Sequence, residues 1–382
     1  MALVFLVPLS SAFPNLLLIP AGLLFIYKLI LKKKVRFSLF WLLNFLLIAF
    51  ILFLAFLEGN LIEEIKFFKE FLSGLFILLI ISEVSNYKFI EKSFVFGSLS
   101  AVILNCINIL YQLRNGLALD LSFGSAVNQL LLLERPYLAF ITVLCNYIIF
   151  KWIRKTKIKK YYFLALIFFS FCFFITGRLG MILHTLLIVQ HIFKSSSQFK
   201  IKHIVSLLIV FVSIGFLVLK NPYLKERLRI GDTIESTYKA YKAYEIRFII
   251  WECSSELLKD NWLTGVNSHT QLIPELTACY VSKINPKQVK KVNYYKDEKF
   301  NTHNQYLDIW LIAGLPGLIL FLIILLHPFF KAKSHHKVLT VLILFMLFFM
   351  AENVLHRQLG CFLYAVFFGL YFPKHIQWSW AK

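Results

Sequence analysis

The sequence predicts an all-α polytopic membrane protein, and two observations carry this prediction. Hydrophobic residues make up 59% of the 382 residues, and the mean hydropathy is +0.72. Soluble domains are only about 45–50% apolar. Apolar runs long enough to cross a bilayer, roughly 17 to 25 residues each, recur along the chain. Because hydrophobic and polar residues do not alternate within these runs, they favour a helical bundle over a β-barrel.

About eleven transmembrane helices are predicted from the apolar runs. The first run is interrupted by prolines, so it forms either one helix or two short segments, and the count is eleven or twelve. The runs fall at residues 9–31, 37–57, 67–82, 89–112, 130–150, 161–175, 179–193, 203–219, 306–330, 337–351 and 358–373.

The charged residues predict the orientation of these helices. The formal net charge of +21 would suggest nucleic acid in a soluble chain, but here the basic residues are bunched in short loops between apolar runs. If each run crosses the membrane once, these loops share one side, which the positive-inside rule makes cytoplasmic. No nucleic-acid partner is therefore expected. The basic loops are residues 32–36, 151–160, 194–202 and 331–337.

This topology divides the chain into three parts. Residues 1–219 carry the first eight predicted transmembrane helices, and residues 305–382 carry the last three and a cytoplasmic tail. Residues 220–304 form one large segment on the outer side, which is the periplasm if the host is Gram-negative. We find no internal repeat of the kind common in secondary transporters.

The outer segment contains two predicted helices, over residues 244–258 and 270–283. Residues 285–301, which include a proline and several lysines, predict a mobile loop. Cys253 and Cys279 share this segment and could pair in an oxidising compartment, although pairing needs a geometry that the sequence does not give.

The stretch 300–322 changes within ten residues from a polar loop into an apolar helix, which marks a membrane surface. His303 stands in the loop, where an enzyme acting on lipid-linked substrates would hold an acid or base. It could equally be an interfacial hydrogen-bonding residue. Asp308 either orients the imidazole or complements the helix N-terminus. The glycines at 314 and 317 are expected to permit a kink and close helix packing.

Several arginines are also assigned to the outer side. Arg178 lies in a tight turn between two apolar runs, and it is either functional or an anchor for lipid phosphate. Arg247 lies on the first helix of the outer segment, where it is either functional or a solvated surface residue. Arg135 lies at the entry to the fifth predicted helix, and Glu352 and Arg357 lie between the last two runs.

The arginines and the histidine together suit a phosphate-bearing substrate. Guanidinium groups bind pyrophosphate oxygens in pairs and keep their charge, while a histidine can take a proton from an attacking hydroxyl. No carboxylate pair of the Asp-x-Asp kind is present, which argues against a divalent metal. We therefore predict no metal site and no cofactor. Arg135, Asn304, Asp308, Glu352 and Arg357 are the further candidates for substrate binding.

Three motifs resemble those of a known family. The most specific is the segment Thr302 to Asp308 followed by the apolar helix with its two glycines; the others are the turn 176–178 and the stretch 247–251 with 263–266 downstream. Over roughly residues 160–370 the chain resembles the O-antigen ligase and polymerase superfamily of bacterial envelope proteins.

The resemblance implies a membrane glycosyltransferase of the GT-C type, inverting and independent of metal. Ligases of that family move a glycan from undecaprenyl pyrophosphate to the lipid A core at the periplasmic face of the inner membrane. Arg178 and Arg247 would then hold the pyrophosphate, and His303 would activate the acceptor hydroxyl or help bind the diphosphate. The superfamily also contains polymerases, which join repeat units on the same carrier, and protein-glycosylating ligases. A transporter of lipid-linked sugars is a further alternative.

Overall fold

The prediction of an all-α polytopic membrane protein is confirmed by a computed structural model of the chain. The structure describes residues 1–10, 12–32, 34–84, 86–116, 124–195, 233–237, 245–284, 286, 288–331, 335–372 and 376–379. Ten of the eleven predicted apolar runs correspond to helices in this part of the chain. The run at 203–219 lies outside the described residues.

The chain forms two compact units. The first comprises Met1–Leu17 and Asn86–Ala240, and the second comprises Leu18–Ser85 and Tyr241–Lys382. The helices, in chain order, are α1 Ala2–Leu6, α2 Phe13–Lys32, α3 Leu39–Leu57, α4 Leu61–Ser82, α5 Tyr87–Arg114, α6 Gly124–Leu130, α7 Arg135–Thr156, α8 Lys160–Phe174, α9 Arg178–Ser195, α10 Ile246–Asn261, α11 His269–Lys283, α12 Val289–Glu298, α13 Gln305–Lys331, α14 His335–Phe349 and α15 Gln358–Tyr371. A 3₁₀ turn, Val354–His356, precedes α15.

Five of the described helices are long and apolar enough to cross a membrane. They include α3, whose mean hydropathy reaches 2.7, and α13, whose value is 2.8. The remaining three are α2, α5 and α7, and the apolar helices α8, α14 and α15 are shorter. Helix α2 is continuous across Pro20, and the short α1 precedes it.

In the first unit, α7 packs against α5, α8 and α9 and is buried along nearly its whole length. The turn before α9 needs small residues, because a Cβ at Gly177 would lie 2.7 Å from Ala139 Cβ and one at Gly180 would lie 2.6 Å from Cys172 Sγ. These close approaches bring the start of α9, and with it Arg178, onto the surface of α7.

In the second unit, α4 packs against α15, and α3 packs against both α4 and α13. The core between these helices is aromatic, with Phe40 stacked on Phe368 at 5.1 Å and Tyr364 donating a hydrogen bond to Asn44 Oδ1 at 2.8 Å. Two short strands, β1 Lys34–Phe37 and β2 Ile376–Ser379, pair antiparallel. The predicted basic loop after α2 thus lies beside the C-terminal tail, as expected if both are on one side.

Helix α13 is broken at Gly314, which has a φ of 61° and a ψ of −168°. At this break, the backbone that follows α10 packs against α13 and forms hydrogen bonds with it. Val266 N–H donates to Leu311 O at 2.7 Å, Asn267 N–H donates to Ile312 O at 2.9 Å, and Leu315 N–H donates to the carbonyl of residue 262 at 3.0 Å. The kink predicted for this stretch is therefore a docking point for the outer segment.

Glycine is required on both sides of this contact. A Cβ on Gly314 would collide with Leu263 O, and a Cβ on Gly265 would lie 2.6 Å from Gly314 N. Both glycines also have left-handed backbone conformations, with φ of 61° and 77°, which cost other residues about 1–2 kcal/mol.

The outer segment is more helical than its composition indicates. The two helices predicted over residues 244–258 and 270–283 correspond to α10 and α11. The prediction of a mobile loop over 285–301 is wrong, because residues Val289–Glu298 form α12. Burial of Tyr295 against Tyr280 and Phe300, with ring centroids 5.7 and 5.4 Å apart, supplies the packing that the lysine-rich sequence conceals.

We expect Gly314→Ala to lower the Tm of the detergent-solubilised protein more than Gly59→Ala does. Gly59 also has a left-handed φ, 74°, but no atom of the described residues lies within 4 Å of its Cβ position. The control therefore reports backbone strain alone, about 1–2 kcal/mol, whereas Gly314→Ala adds a backbone collision. Equal losses of Tm in the two variants would contradict the requirement for glycine at the contact between Gly265 and Gly314.

Candidate functional site

The helix ends that the topology assigns to the outer side meet in the second unit. Asn267 donates to Glu58 Oε1 at 3.1 Å, which links the loop before α11 to the end of α3. Trp251 Nε1 donates to Thr302 O at 3.1 Å, which links α10 to the loop before α13. Two clusters of ionisable side chains lie at these junctions.

The first cluster is centred on His269, which lies between two carboxylates. Its Nδ1 is 2.6 Å from Glu64 Oε1, and its Nε2 is 3.3 Å from Asp308 Oδ2. Its backbone N–H also donates to Glu64 Oε2 at 3.0 Å. Both carboxylates have no exposed surface, and His269 is 3% exposed.

Asp308 collects contacts from three other elements. Asn353 Nδ2 donates to its Oδ1 at 2.8 Å, and Thr302 Oγ1 lies 3.5 Å from the same oxygen. His356 Nε2 lies 2.9 Å from Oδ2. The side chain therefore ties the start of α13 to α11, to the loop before α13 and to the turn before α15. We name Glu64, His269, Asp308 and His356 the buried histidine–carboxylate cluster.

The two histidines of this cluster respond differently to burial. Burial lowers the pKa of His269, but Asp308 and Glu64 outweigh it and raise the pKa to about 9. Burial also lowers the pKa of His356, and here the attraction of Asp308 only partly offsets it. The net shifts of the two pKa values are therefore opposite.

Aromatic rings enclose the two histidines. Phe67 stacks on the His269 ring with centroids 3.7 Å apart, and it meets the His356 ring edge-on at 4.6 Å. Phe68 lies edge-on to both histidines, at 5.3 and 5.6 Å. This apolar shell lowers the local dielectric, so the charges inside depend on each other rather than on water.

The second cluster joins Arg247, His303 and Glu352, and it is partly open. Arg247 Nη2 donates to Glu352 Oε1 at 2.8 Å and to Ala351 O at 3.2 Å. His303 Nδ1 lies 3.5 Å from Glu352 Oε2. The side chains of Arg247 and His303 are 27% and 22% exposed, so both reach the surface of the unit. We name these three residues the open arginine–histidine cluster.

Unused hydrogen-bonding capacity marks this cluster as a place for a ligand. Within the described part of the chain, Arg247 Nε and His303 Nδ1 are buried atoms without a hydrogen-bond partner. His303 also has a φ of 44°, a left-handed conformation that costs a non-glycine residue about 1–3 kcal/mol. Asn301 stabilises it by accepting the His303 N–H at 3.1 Å.

The other predicted site residues lie outside the open arginine–histidine cluster. Asn304 caps α13, since its Oδ1 accepts the N–H groups of Tyr306 and Leu307 at 3.0 and 3.2 Å. Arg357 is exposed at the start of α15. Arg135 and Arg178 begin α7 and α9 in the first unit. The structure thus brings Arg247, His303 and Glu352 together.

The two roles foreseen for Asp308 are resolved by its neighbours. Among the described residues its partners are His269, His356, Asn353 and Thr302, and the carboxylate beside His303 belongs to Glu352 instead. Asp308 does lie in the first turn of α13, as the second role requires.

Sequence reasoning missed Glu64, His269 and Asn353. Glu64 and His269 are 205 residues apart, so no local spacing links them. The available signal was positional: both stand in the first turns of helices whose N-terminal ends the topology assigns to one side.

Cys253 and Cys279 form a disulfide, with their Cα atoms 5.8 Å apart. The bond joins α10, which carries Arg247, to α11, which carries His269. It therefore fixes the two helices that present the open and the buried cluster.

Fold and site define a multi-pass membrane protein with an open arginine–histidine cluster at helix ends of its second unit. Residues 163–322 match the family model described as O-Antigen ligase. The match confirms the predicted resemblance to the O-antigen ligase superfamily over this part of the chain, and it supports a ligase or polymerase type of function in general. It includes Arg178, Arg247, His303 and Asp308. No curated protein sequence matches the chain.

We expect four of the six cysteines to react with a maleimide mass tag when the protein is denatured without reductant, and all six after reduction. The variant Cys253→Ser releases Cys279, so it should gain one tag relative to the four remaining free thiols. Six tags on the unreduced wild-type protein would contradict the disulfide.

Proposed function

We propose that the protein is a glycosyltransferase of the O-antigen ligase type. The donor is a glycan on undecaprenyl pyrophosphate, and the acceptor is a sugar of the lipid A core or a similar lipid. The observation that carries this proposal is the open arginine–histidine cluster, which lies within or beside the region that matches the ligase family. That family implies lipid-linked glycan substrates in a membrane.

Arg247 is proposed to bind the pyrophosphate. Its guanidinium is held from one side by Glu352 and the carbonyl of Ala351, while Nε has no hydrogen-bond partner among the described residues. A fixed guanidinium with a free donor can add a phosphate oxygen at little entropic cost. Arg178, Arg135 and Arg357 are proposed to contribute further positive charge to substrate binding.

His303 is proposed to act as the base. The acceptor hydroxyl gives its proton to His303, the hydroxyl oxygen forms a bond to the anomeric carbon, and the bond from that carbon to the pyrophosphate oxygen breaks. Undecaprenyl pyrophosphate leaves with the bonding electrons, and the anomeric configuration inverts. Glu352, 3.5 Å from Nδ1, stabilises the imidazolium that forms. Asn304 positions the base by capping α13 immediately after it.

The reaction is proposed to take place on the periplasmic side of the bacterial inner membrane in a GT-C arrangement. Residues 1–219 and 305–382 then hold the membrane helices, and residues 220–304 lie outside. Two observations support this side. The Cys253–Cys279 disulfide is the kind of bond that persists in an oxidising compartment, and the loops assigned to the outer side meet at the site.

Deletion of the gene, followed by gel analysis of lipopolysaccharide and of the lipid carrier, tests the proposal. Full-length chains left on the carrier indicate a ligase. A core with a single repeat indicates the polymerase of the same superfamily, whose acceptor is a second lipid-linked unit. Loss of all periplasmic glycan indicates a transporter and contradicts the proposal, and so does an unchanged gel.

We expect Arg247→Ala and His303→Ala each to reduce glycan transfer at least a hundredfold, because one removes the pyrophosphate contact and the other the base. Transfer in purified membranes is the measurement. Lys66→Ala is the control, since Lys66 is exposed and its salt-bridge partner among the described residues is the nearby Glu63. Wild-type transfer by either variant, at equal membrane content, would contradict the assignment.

We expect transfer to proceed equally with EDTA and with added Mg²⁺ over the time of an assay. Arginine side chains supply the positive charge that stabilises the leaving pyrophosphate, so no dissociable cation is required. Initial rates in the two buffers are compared. Strict dependence on added Mg²⁺ would contradict the arginine account.

A further inference from the structure

We propose that His269, Asp308 and His356 bind one divalent transition-metal ion of the zinc class in the second unit. The site is distinct from the open arginine–histidine cluster, and the inference does not depend on the proposed glycan transfer. It rests on the geometry of the ligand atoms, on an unsatisfied imidazole, on the groups that orient the ligands, and on charge balance.

The three ligand atoms lie at metal-site spacing. Asp308 Oδ2 is 2.9 Å from His356 Nε2 and 3.3 Å from His269 Nε2, and all three atoms lie within 4.8 Å of one another. Around a zinc ion with bonds of about 2.0–2.1 Å, tetrahedral ligands are about 3.3 Å apart. The two separations from Asp308 Oδ2 are therefore within about 0.4 Å of that arrangement.

His356 is not satisfied by its neighbours. Its side chain is only 4% exposed, yet neither ring nitrogen has a hydrogen-bond partner among the described residues. Its Nε2 nevertheless lies 2.9 Å from Asp308 Oδ2, close enough for one ion to bridge the two atoms. Burying an imidazole whose nitrogens lack partners is costly unless a ligand occupies them.

The groups behind the ligands hold them as in known metal sites. A histidine that binds metal commonly donates its other ring N–H to a carboxylate, which fixes the tautomer and the ring orientation. Glu64 does this for His269, at 2.6 Å from Nδ1, and accepts the backbone N–H of the same residue. Asn353 holds the second oxygen of Asp308 at 2.8 Å.

The burial of two carboxylates favours a divalent cation. Glu64 and Asp308 both have no exposed surface, and buried carboxylates are costly in a low dielectric unless positive charge compensates them. A divalent ion with two neutral imidazoles makes the cluster neutral. The salt bridges of the described residues pair these carboxylates with histidines alone.

The donor set and its surroundings indicate the type of ion and its role. Two imidazole nitrogens and one carboxylate suit zinc-class ions, whereas Mg²⁺ and Ca²⁺ prefer oxygen ligands alone. Phe67 and Phe68 close the histidine faces, so the ion would hold structure rather than bind substrate. It would clamp α11, α13 and the turn before α15, the elements that flank the open cluster.

Metal content of the purified full-length protein tests this inference. The protein is prepared in detergent through a non-metal affinity tag, supplied with Zn²⁺, desalted and analysed by plasma mass spectrometry. We expect one zinc per chain, and a rise in Tm when Zn²⁺ is returned to protein stripped with a strong chelator. Wild-type protein that holds no zinc after Zn²⁺ supply, with an unchanged Tm, would overturn the proposal. Retention of Mg²⁺ instead would also overturn it.

Matched variants show which residues hold the ion. His356→Ala should lose the metal, and Glu64→Gln, which keeps a hydrogen-bonding side chain behind His269, should weaken zinc affinity about 10- to 100-fold. The control is His184→Ala: His184 is equally buried, but its ring nitrogens lie 3.1 Å from Thr142 and Asn146 and not beside a carboxylate. Undiminished zinc in His356→Ala, or equal losses in all three folded variants, would overturn the assignment.

Discussion

The burial of the Asp308 carboxylate is the constraint on which the second unit depends. A carboxylate without solvent is tolerable only if nearby groups compensate its charge, and here the compensating groups come from α11, from the loop before α13 and from the turn before α15. None of these elements holds its position by local propensity alone. The helix ends that carry the compensating groups must therefore converge for the Asp308 carboxylate to be buried.

The geometry of the open arginine–histidine cluster depends on this arrangement. His303 lies five residues before Asp308 in the chain, and Glu352 lies four residues before His356. Both partners of the open cluster are thus flanked by members of the buried one. Arg247 and His303 can keep hydrogen-bonding atoms without a protein partner because the buried histidine–carboxylate cluster stabilises the surrounding elements. Buried and partly exposed members of the two clusters thus lie only four or five residues apart in the chain.

Much of the fold could be predicted from the sequence, because the length of an apolar run identifies a membrane helix. The apolar runs and the kink at Gly314 were recognisable, and so were α10 and α11 from their periodicity. Helix α12 was not, since its sequence is polar and its stability comes from Tyr295 packing against distant rings. Polarity alone indicates a loop when the partner surface is unknown.

The site could be predicted only in part, for a similar reason. Arg247 and His303 were found because arginine and histidine near a membrane surface are unusual in themselves. Glu64 and His269 were missed, because acidic residues at helix starts are common and only tertiary contact distinguishes this one. Asp308 was one candidate partner of His303 because of its proximity in sequence, with the helix N-terminus as its alternative role, whereas the structure places Glu352 beside His303.

The close backbone contact between Gly265 and Gly314 has a consequence for sequence variation among related proteins. The outer segment is fastened to the broken helix by main-chain hydrogen bonds, which every amino acid except proline can donate. The half-exposed side chains of Trp262 and Leu263 are therefore free to change, whereas Val266 is buried and Asn267 bonds to Glu58. A loop held in this manner can vary its exposed surface between relatives, while the membrane helix that receives it stays the same.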